Sequence, residues 1–317
     1  MPVLGKSKES RTFAAARFIL ELDGQNVGVL HSVDGGHFKS EAIGEQVGSE
    51  GLVTRFPGRQ KFDDFTIQLG ASMTPGFWKW VKASIDNKYQ RRNGAVISCD
   101  FDGRERGRRT FSNALISEIQ FPAPDAKSKN PAMITVKISP EYMQYVRADA
   151  AVKTRSNLQV TKQKMWVPQN FQFNLDAIPK EVTRHIVKLD AITVKQNIIV
   201  NPIGNELWPR KEVGRIEFPT LSVYVPETYS KPWYKWWDKF VAKGEHIPAN
   251  ESSGSLVYLA SDCTTQLMTL TFKNIGITGI TFDKFEAAGE PIRCIKVDLY
   301  TESMEFSTGS GTAAAAS

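Results

Sequence analysis

The sequence runs through one pattern twice, and this constrains its fold more than any other feature. Thr66-Ile67-Gln68-Leu69 followed by Phe77-Trp78-Lys79-Trp80 returns 156 residues later as Ser222-Val223-Tyr224-Val225 followed by Trp233-Tyr234-Lys235-Trp236. Phe111 to Phe121, with Asn113-Ala114 and Ile116-Ser117-Glu118-Ile119 inside it, returns at an offset of 161 as Phe272 to Phe282, with Asn274-Ile275 and Ile277-Thr278-Gly279-Ile280. The offset of 161 also carries Ile134 to Ile138 onto Ile295 to Leu299, Glu141 onto Glu302 and Met143 onto Met304. At the front, Phe18 to Asp23 pairs with His185 to Asp190 at 167. Identities are few, but the order is kept and the apolar positions coincide. A chain of 317 residues has room for two domains. The repeat divides it into a first domain over 1–150, a basic linker or strap over 151–178, a second and divergent domain over 179–306, and a flexible tail over 307–317.

Each copy reads locally as β structure with one helix. Phe18 to Leu22 runs into Asp23-Gly24 and out through Val27 to Val33, the signature of a tight hairpin. Phe62 to Leu69 predicts a further strand. Thr74-Pro75 then gives a helix start before Phe77-Trp78-Lys79-Trp80-Val81, with the helix reaching about Lys88. Ala95 to Phe101, Arg108 to Phe111, Leu115 to Phe121 and Met133 to Ser139 complete the strands, with Asp102-Gly103 as a turn. In the second copy Pro232 opens the helix and Gly244 ends it. The expected class is mainly β: two tandem sandwich or barrel domains, each with one flanking α-helix. The changes of offset place extra length in the first copy at Gly44 to Phe62, a polar, glycine-rich stretch expected to be a long loop.

Composition bears on function mainly by exclusion. The net charge of +6 is concentrated: residues 1–150 carry 21 basic and 17 acidic groups, and 151–178 carry 4 and 1. No five Lys or Arg are consecutive, which argues against nucleic-acid binding as the main role. No stretch reaches the ~18 apolar residues of a membrane span. Met1 to Arg11 is polar and lacks the apolar core of a secretory signal, so the expectation is synthesis in the cytoplasm. Cys99, Cys263 and Cys294 are too few and scattered for a disulfide framework. His31, His37, His185 and His246 show no metal-ligand spacing, and no nucleophile, base or ligand set converges. The reading is therefore no catalytic residue, no cofactor and no metal.

The first copy resembles the tail-tube proteins of contractile phages and related contractile injection systems. The resemblance is carried by Phe18-x-Leu20-x-Leu22-Asp23-Gly24, Gly28-x-Leu30-x-x-Val33-x-Gly35, Arg55-Phe56-Pro57-Gly58-x-x-Lys61-Phe62-x-x-Phe65-Thr66-Ile67, Phe77-Trp78-x-Trp80, Arg91-Arg92-Asn93-Gly94 and Asn113-Ala114. It spans nearly all of residues 17–146. The second copy keeps the hydrophobic frame and the Trp-rich helix but lacks the Pro-Gly strand entrance and the Arg-Arg-Asn-Gly turn. The resemblance implies a β-barrel-like sandwich whose sheets join side by side into a sixfold ring with a central channel, with rings stacked into a tube inside a sheath. It implies no catalysis, no cofactor and no membrane. The implied partners are other copies of the chain, as a trimer of two-domain chains or a hexamer, together with other tube rings and baseplate, spike or sheath proteins. DNA or cargo would pass only transiently through the lumen.

The tandem arrangement suggests a specialised level such as hub, tube initiator or end adaptor. Gly48, Leu52, Arg55, Phe56, Pro57 and Gly58 are the expected inter-ring assembly residues, since the family's loop at this place projects to neighbouring rings. Arg104, Arg106, Arg108 and Arg109, at an expected hairpin tip, and Trp237, which cannot face the core together with Trp236, are candidate subunit contacts. The alternative reading is a monomeric, lectin-like β-sandwich recognition module.

Overall fold

A computed structural model describes residues 17–47, 52–147, 166–282 and 292–309. The protein is mainly β, as its alternating apolar runs require. The first half opens with β1 (Arg17–Leu22) and β2 (Gln25–Leu30), joined by a turn in which Asp23 and Gly24 both take positive φ, 49° and 80°. Consecutive left-handed residues match the twist of a two-residue hairpin, which is why Asp-Gly stands there. Then come β3 (Ser32–Gly35), β4 (Phe38–Val47), β5 (Leu52–Phe62), β6 (Phe65–Leu69) and helix α1 (Pro75–Ile85). The half closes with β7 (Arg92–Cys99), the 17-residue β8 (Glu105–Phe121), β9 (Ile134–Ser139) and β10 (Tyr142–Arg147).

The second half contains β11 (Phe171–Leu175), a one-turn helix α2 (Lys180–Thr183), β12 (Lys188–Leu189), β13 (Ile192–Asn201), β14 (Arg210–Glu217) and β15 (Leu221–Pro226). Helix α3 (Lys231–Trp237) runs into a π-helical turn, Asp238–Ala242, and Gly244 follows at φ 71°. The strands β16 (Ser252–Leu259), β17 (Gln266–Phe282) and β18 (Cys294–Thr308) complete it.

Pairing in the second half follows the pattern of the first. The order β1-β7-β8-β9-β6-β3 becomes β11-β16-β17-β18-β15-β12, with β18 standing for β9 and β10 together. The long strands β8 and β17 each break register at corresponding places. One break lies opposite Arg92/Gly94 in the first half and Ser252/Gly254 in the second, and the other lies at Ile116/Glu118 and Ile277/Gly279. Beside the first break stand Asn113 and Asn274, at φ 51° and 53°, a left-handed conformation that asparagine tolerates better than most residues. This lets the long strand bend so that the sheet curls around it. The glycines opposite are sterically required: a Cβ on Gly94 would lie 2.2 Å from Glu21 O, and one on Gly254 would lie 2.8 Å from Asn174 O.

Several sequence expectations are corrected by these registers. His185 to Asp190 is not the counterpart of Phe18 to Asp23. It holds β12, which pairs with β15 as β3 pairs with β6, and Leu189 opposite Val223 answers to Val33 opposite Ile67. The strand that answers to β1 is β11, because it lies on β16 as β1 lies on β7. β11 falls inside the stretch expected to be a strap, 151–178, and Trp166 there is buried; residues 151–165 lie outside the described residues, as do 310–317 of the expected tail. Gly44 to Phe62 is not a loop, for its described residues form a projecting antiparallel hairpin, β4 with β5. Nor is the second half shorter there, because β13 and β14 form a hairpin between the same two anchors. The second half also carries α2 besides the expected helix.

The core is continuous across the halves. Thr74 precedes α1, whose Phe77, Trp78, Trp80 and Val81 are buried, and in α3 Trp233 and Trp236 take the equivalent inward places. Phe306 of β18 sits between Trp78 and Phe121 of the first half, with ring centroids 5.7 Å from each. Burying an aromatic side chain of this kind contributes about 2–3 kcal/mol, so the contact fixes one half against the other.

Candidate functional site

Hairpin β13–β14 begins in the second half and ends on the first. Ile192, Thr193, Val194 and Lys195 pair with Phe121, Gln120, Ile119 and Glu118, so β13 adds a strand to the edge of β8. Ile192 and Val194 are buried there. Adding a strand satisfies a row of backbone donors and acceptors that an open edge would leave to solvent.

A polar cluster locks the far end of the hairpin. The Lys211 backbone N–H donates to Glu141 Oε1 (2.9 Å), and its carbonyl accepts from Arg91 Nη2 (2.9 Å). Its buried ammonium donates to Ser139 Oγ (2.8 Å) and lies 3.3 Å from Asp64 Oδ1, while Arg91 also pairs with Glu212 at 2.9 Å. Four residues of the first half, Asp64, Arg91, Ser139 and Glu141, thus meet one lysine of the second, and charge buried in this way is held by several partners at once. Trp208 adds an aromatic contact on Tyr142, with centroids 4.6 Å apart.

The hairpin β4–β5 is built to the same pattern without such a seat. Its register, Lys39 to Lys61 and Ser40 to Gln60, breaks between Ser40 and Ala42. That of β13–β14, Lys195 to Glu217 and Gln196 to Ile216, breaks between Gln196 and Ile198, so both pairings and bulge recur 156 residues on. Yet β4 and β5 pair only with each other among the described residues, and Phe38, Ile43, Val53 and Phe56 are exposed. A complementary vacancy exists on β17. Its first part lies between β16 and β18, but from Gly276 to Phe282 it pairs, among the described residues, with β18 alone.

Of the expected assembly residues, Gly48 lies outside the described residues and Leu52 opens β5. Arg55, Phe56 and Pro57 face Gly44, Ile43 and Ala42 across the hairpin, and Gly58 sits at its bulge. The four arginines are engaged within the first half. Asp100 accepts backbone N–H bonds from Arg104 and Asp102 and a salt bridge from Arg106, and these, the Arg104 bond first, hold its carboxyl below the ordinary range. Arg108 joins Glu105 and Glu21, and Arg109 donates to Gly35 O at 2.9 Å, burial lowering its pKa. Trp237 is partly buried against the core. The sequence reading missed Lys211, Glu141, Asp64 and Arg91. The signal was available: Val33 to Ile67 and Leu189 to Val223 are the same distance apart in sequence, so the offset of 156 holds throughout this region.

Among the described residues no three His, Cys, Asp or Glu side chains gather as a metal site, and no helix is long and apolar enough to cross a membrane. His185 instead stacks on Tyr229, with centroids 3.8 Å apart.

Residues 14–144 match the family described as T4-like virus tail tube protein gp19. No curated protein matches the chain. Among solved structures the chain is similar to one from the anti-feeding prophage baseplate, 6-fold symmetrised, at 14% identity, covering 44% of this chain and 97% of that one with a TM-score of 0.39. It is also similar to one from the anti-feeding prophage tube-terminating cap, at 20% identity over 47% and 100% of the two chains with a TM-score of 0.40. A third is Hcp1 from Flavobacterium johnsoniae, at 16% identity over 42% and 96%, with a TM-score of 0.30.

Proposed function

From the premise that residues 14–144 carry the sequence of the tail-tube family, we propose that this tail tube-like protein is a non-enzymatic structural subunit of a contractile phage tail or injection particle, made of two tube-type domains. The domains occupy about 1–150 and 179–306, with β11 added to the front of the second. Side by side they form two adjacent members of a ring of six such domains. Three chains complete one ring, and six chains are the alternative if each spans two layers. The ring stacks on other tube rings or on a baseplate, spike or cap.

The observation that carries this reading is the join of β13 to β8. It makes the two halves neighbours in a continuous sheet, the relation that ring subunits must have, already formed within one chain. Heterologous contacts of this kind close into rings when their rotation allows. A purified sample should give ring-shaped particles by negative-stain electron microscopy and a mass of three or six chains by light scattering. A monomer at every concentration would favour the recognition-module reading instead.

A further inference from the structure

The edge of β17 and the hairpin β4–β5 are the two unfilled halves of a contact that the chain already makes once. We propose that β4 of one molecule adds to the edge of β17 of a second copy, in the register Gly36 to Phe282, His37 to Thr281, Phe38 to Ile280 and Lys39 to Gly279. This deepens the ring reading above and rests on it. The register follows from the observed pairing of Ile192 to Lys195 with Phe121 to Glu118, shifted by 156 on the hairpin and by 161 on the long strand.

The aromatic side chains at the two places support the same occupant. Within the chain, Phe121, Phe306 and Trp78 form a buried group, with Phe121 at 0% and Phe306 at 1% exposure. At the same offsets stand Phe282, Tyr145 and Tyr234. Phe282 is 59% exposed and Tyr145 54%, while Tyr234 stacks against Phe282 at 6.4 Å. Phe38, at the place of buried Val194, is 50% exposed. An aromatic group lying half on one end of the molecule and half on the other is completed by a second copy, since Tyr145 and Phe38 share the first half and Tyr234 and Phe282 the second. Large apolar groups left to solvent at both ends mark an interaction surface.

Charge points the same way. Arg55 stands where Lys211 stands in the other hairpin, and Glu302 answers to Glu141. Where the first half offers Arg91, the second offers Glu251, which accepts a hydrogen bond from the Tyr300 hydroxyl at 2.8 Å. The seat on the second half is therefore acidic where the incoming strand is basic. Complementary charge fixes register and orientation as well as affinity.

Paired cysteines test the register in full-length protein with Cys263 and Cys294 changed to serine. Phe38→Cys with Ile280→Cys, and separately His37→Cys with Thr281→Cys, should give reducible covalent multimers on mild oxidation that end at the ring's own subunit number. The control Thr193→Cys with Gln120→Cys should close within one chain and leave the mass unchanged. Phe282→Lys combined with Tyr145→Lys should raise the concentration needed for assembly by about tenfold or more while leaving the circular dichroism and Tm of the isolated chain unchanged. Rings that persist in the lysine variant, with no intermolecular cross-link from either pair, would remove this interface while leaving the ring function intact. A wild-type protein that never assembles would remove both.

Discussion

The hairpins β4–β5 and β13–β14 have the same anchors, register and bulge, yet one lies on a sheet with a buried lysine at its end and the other projects with its aromatic side chains exposed. Their own pairing does not explain this, because it is shared. What differs is whether the chain itself supplies the acceptor. β13 finds the edge of β8 within its own molecule, whereas the acceptor equivalent for β4 lies on β17. On the interface proposed above, a strand of given shape is thus part of the fold in one half and part of the assembly in the other.

The largest test of that difference is Val194→Asp against Phe38→Asp. An unpaired carboxylate at buried Val194 should cost about 3–5 kcal/mol in urea unfolding of the isolated chain. At Phe38, half exposed and in T-shaped contact with Phe62, the same change should cost about 1 kcal/mol or less. Equal losses would show that β4–β5 is seated within the chain after all.

A smaller contrast is expected from the two basic residues. Lys211→Met removes the bonds to Ser139 and Asp64 and should lower stability by about 1–3 kcal/mol. Arg55→Met should leave the unfolding midpoint of the isolated chain unchanged and act only on assembly. A loss of similar size from Arg55→Met would break the contrast.

The smallest effect concerns Tyr300, which takes the place held by Ser139 in the first half. Burial, followed by the hydrogen bond to Glu251, pushes its phenol up to about 12. The folded state thus favours the neutral phenol. Its stabilising contribution is complete below the ordinary tyrosine value of about 10 and is lost as pH rises from there to about 12. Ultraviolet difference titration should show late-titrating tyrosines, since burial also pushes Tyr258 and Tyr234 up, and the Tyr300 step alone should move toward the ordinary value in Glu251→Gln. An unmoved titration would detach Glu251 from Tyr300.

Most of the frame was legible in the sequence because apolar alternation and turn chemistry are local. Asp23-Gly24, Thr74-Pro75 and the Phe-Trp-x-Trp helix fell where they were expected, and the offsets of 156 and 161 recur between strand registers of the two halves. The front of the second half was misjudged because Leu189 sits in a two-residue strand, too short to show a period. That one error made an ordered hairpin look like an unmatched loop. The join itself was not legible. Whether Ile192 and Val194 cover their own half or the other is a long-range pairing, and the alternation Ile-Thr-Val-Lys is the same in either case. Nor does the sequence show that Asp100 holds Arg106, and Glu21 and Glu105 hold Arg108.

The join of β13 to β8 also has a consequence in time. Phe121 leaves the ribosome 71 residues before its partner Ile192, which at roughly 5–20 residues per second is a delay of about 4–14 s. Once β10 has emerged, 45 residues before Ile192, the first half is a nearly finished sheet with its β8 edge open, and every other nascent chain carries the same edge. Once residues 192–195 emerge they are tethered next to it, and a tethered strand acts at a local concentration that free chains in a cell do not match. In the ring proposed above, carrying two neighbours in one polypeptide would therefore set the order of events: the contact inside the molecule closes first, and the contact between molecules is left for finished subunits.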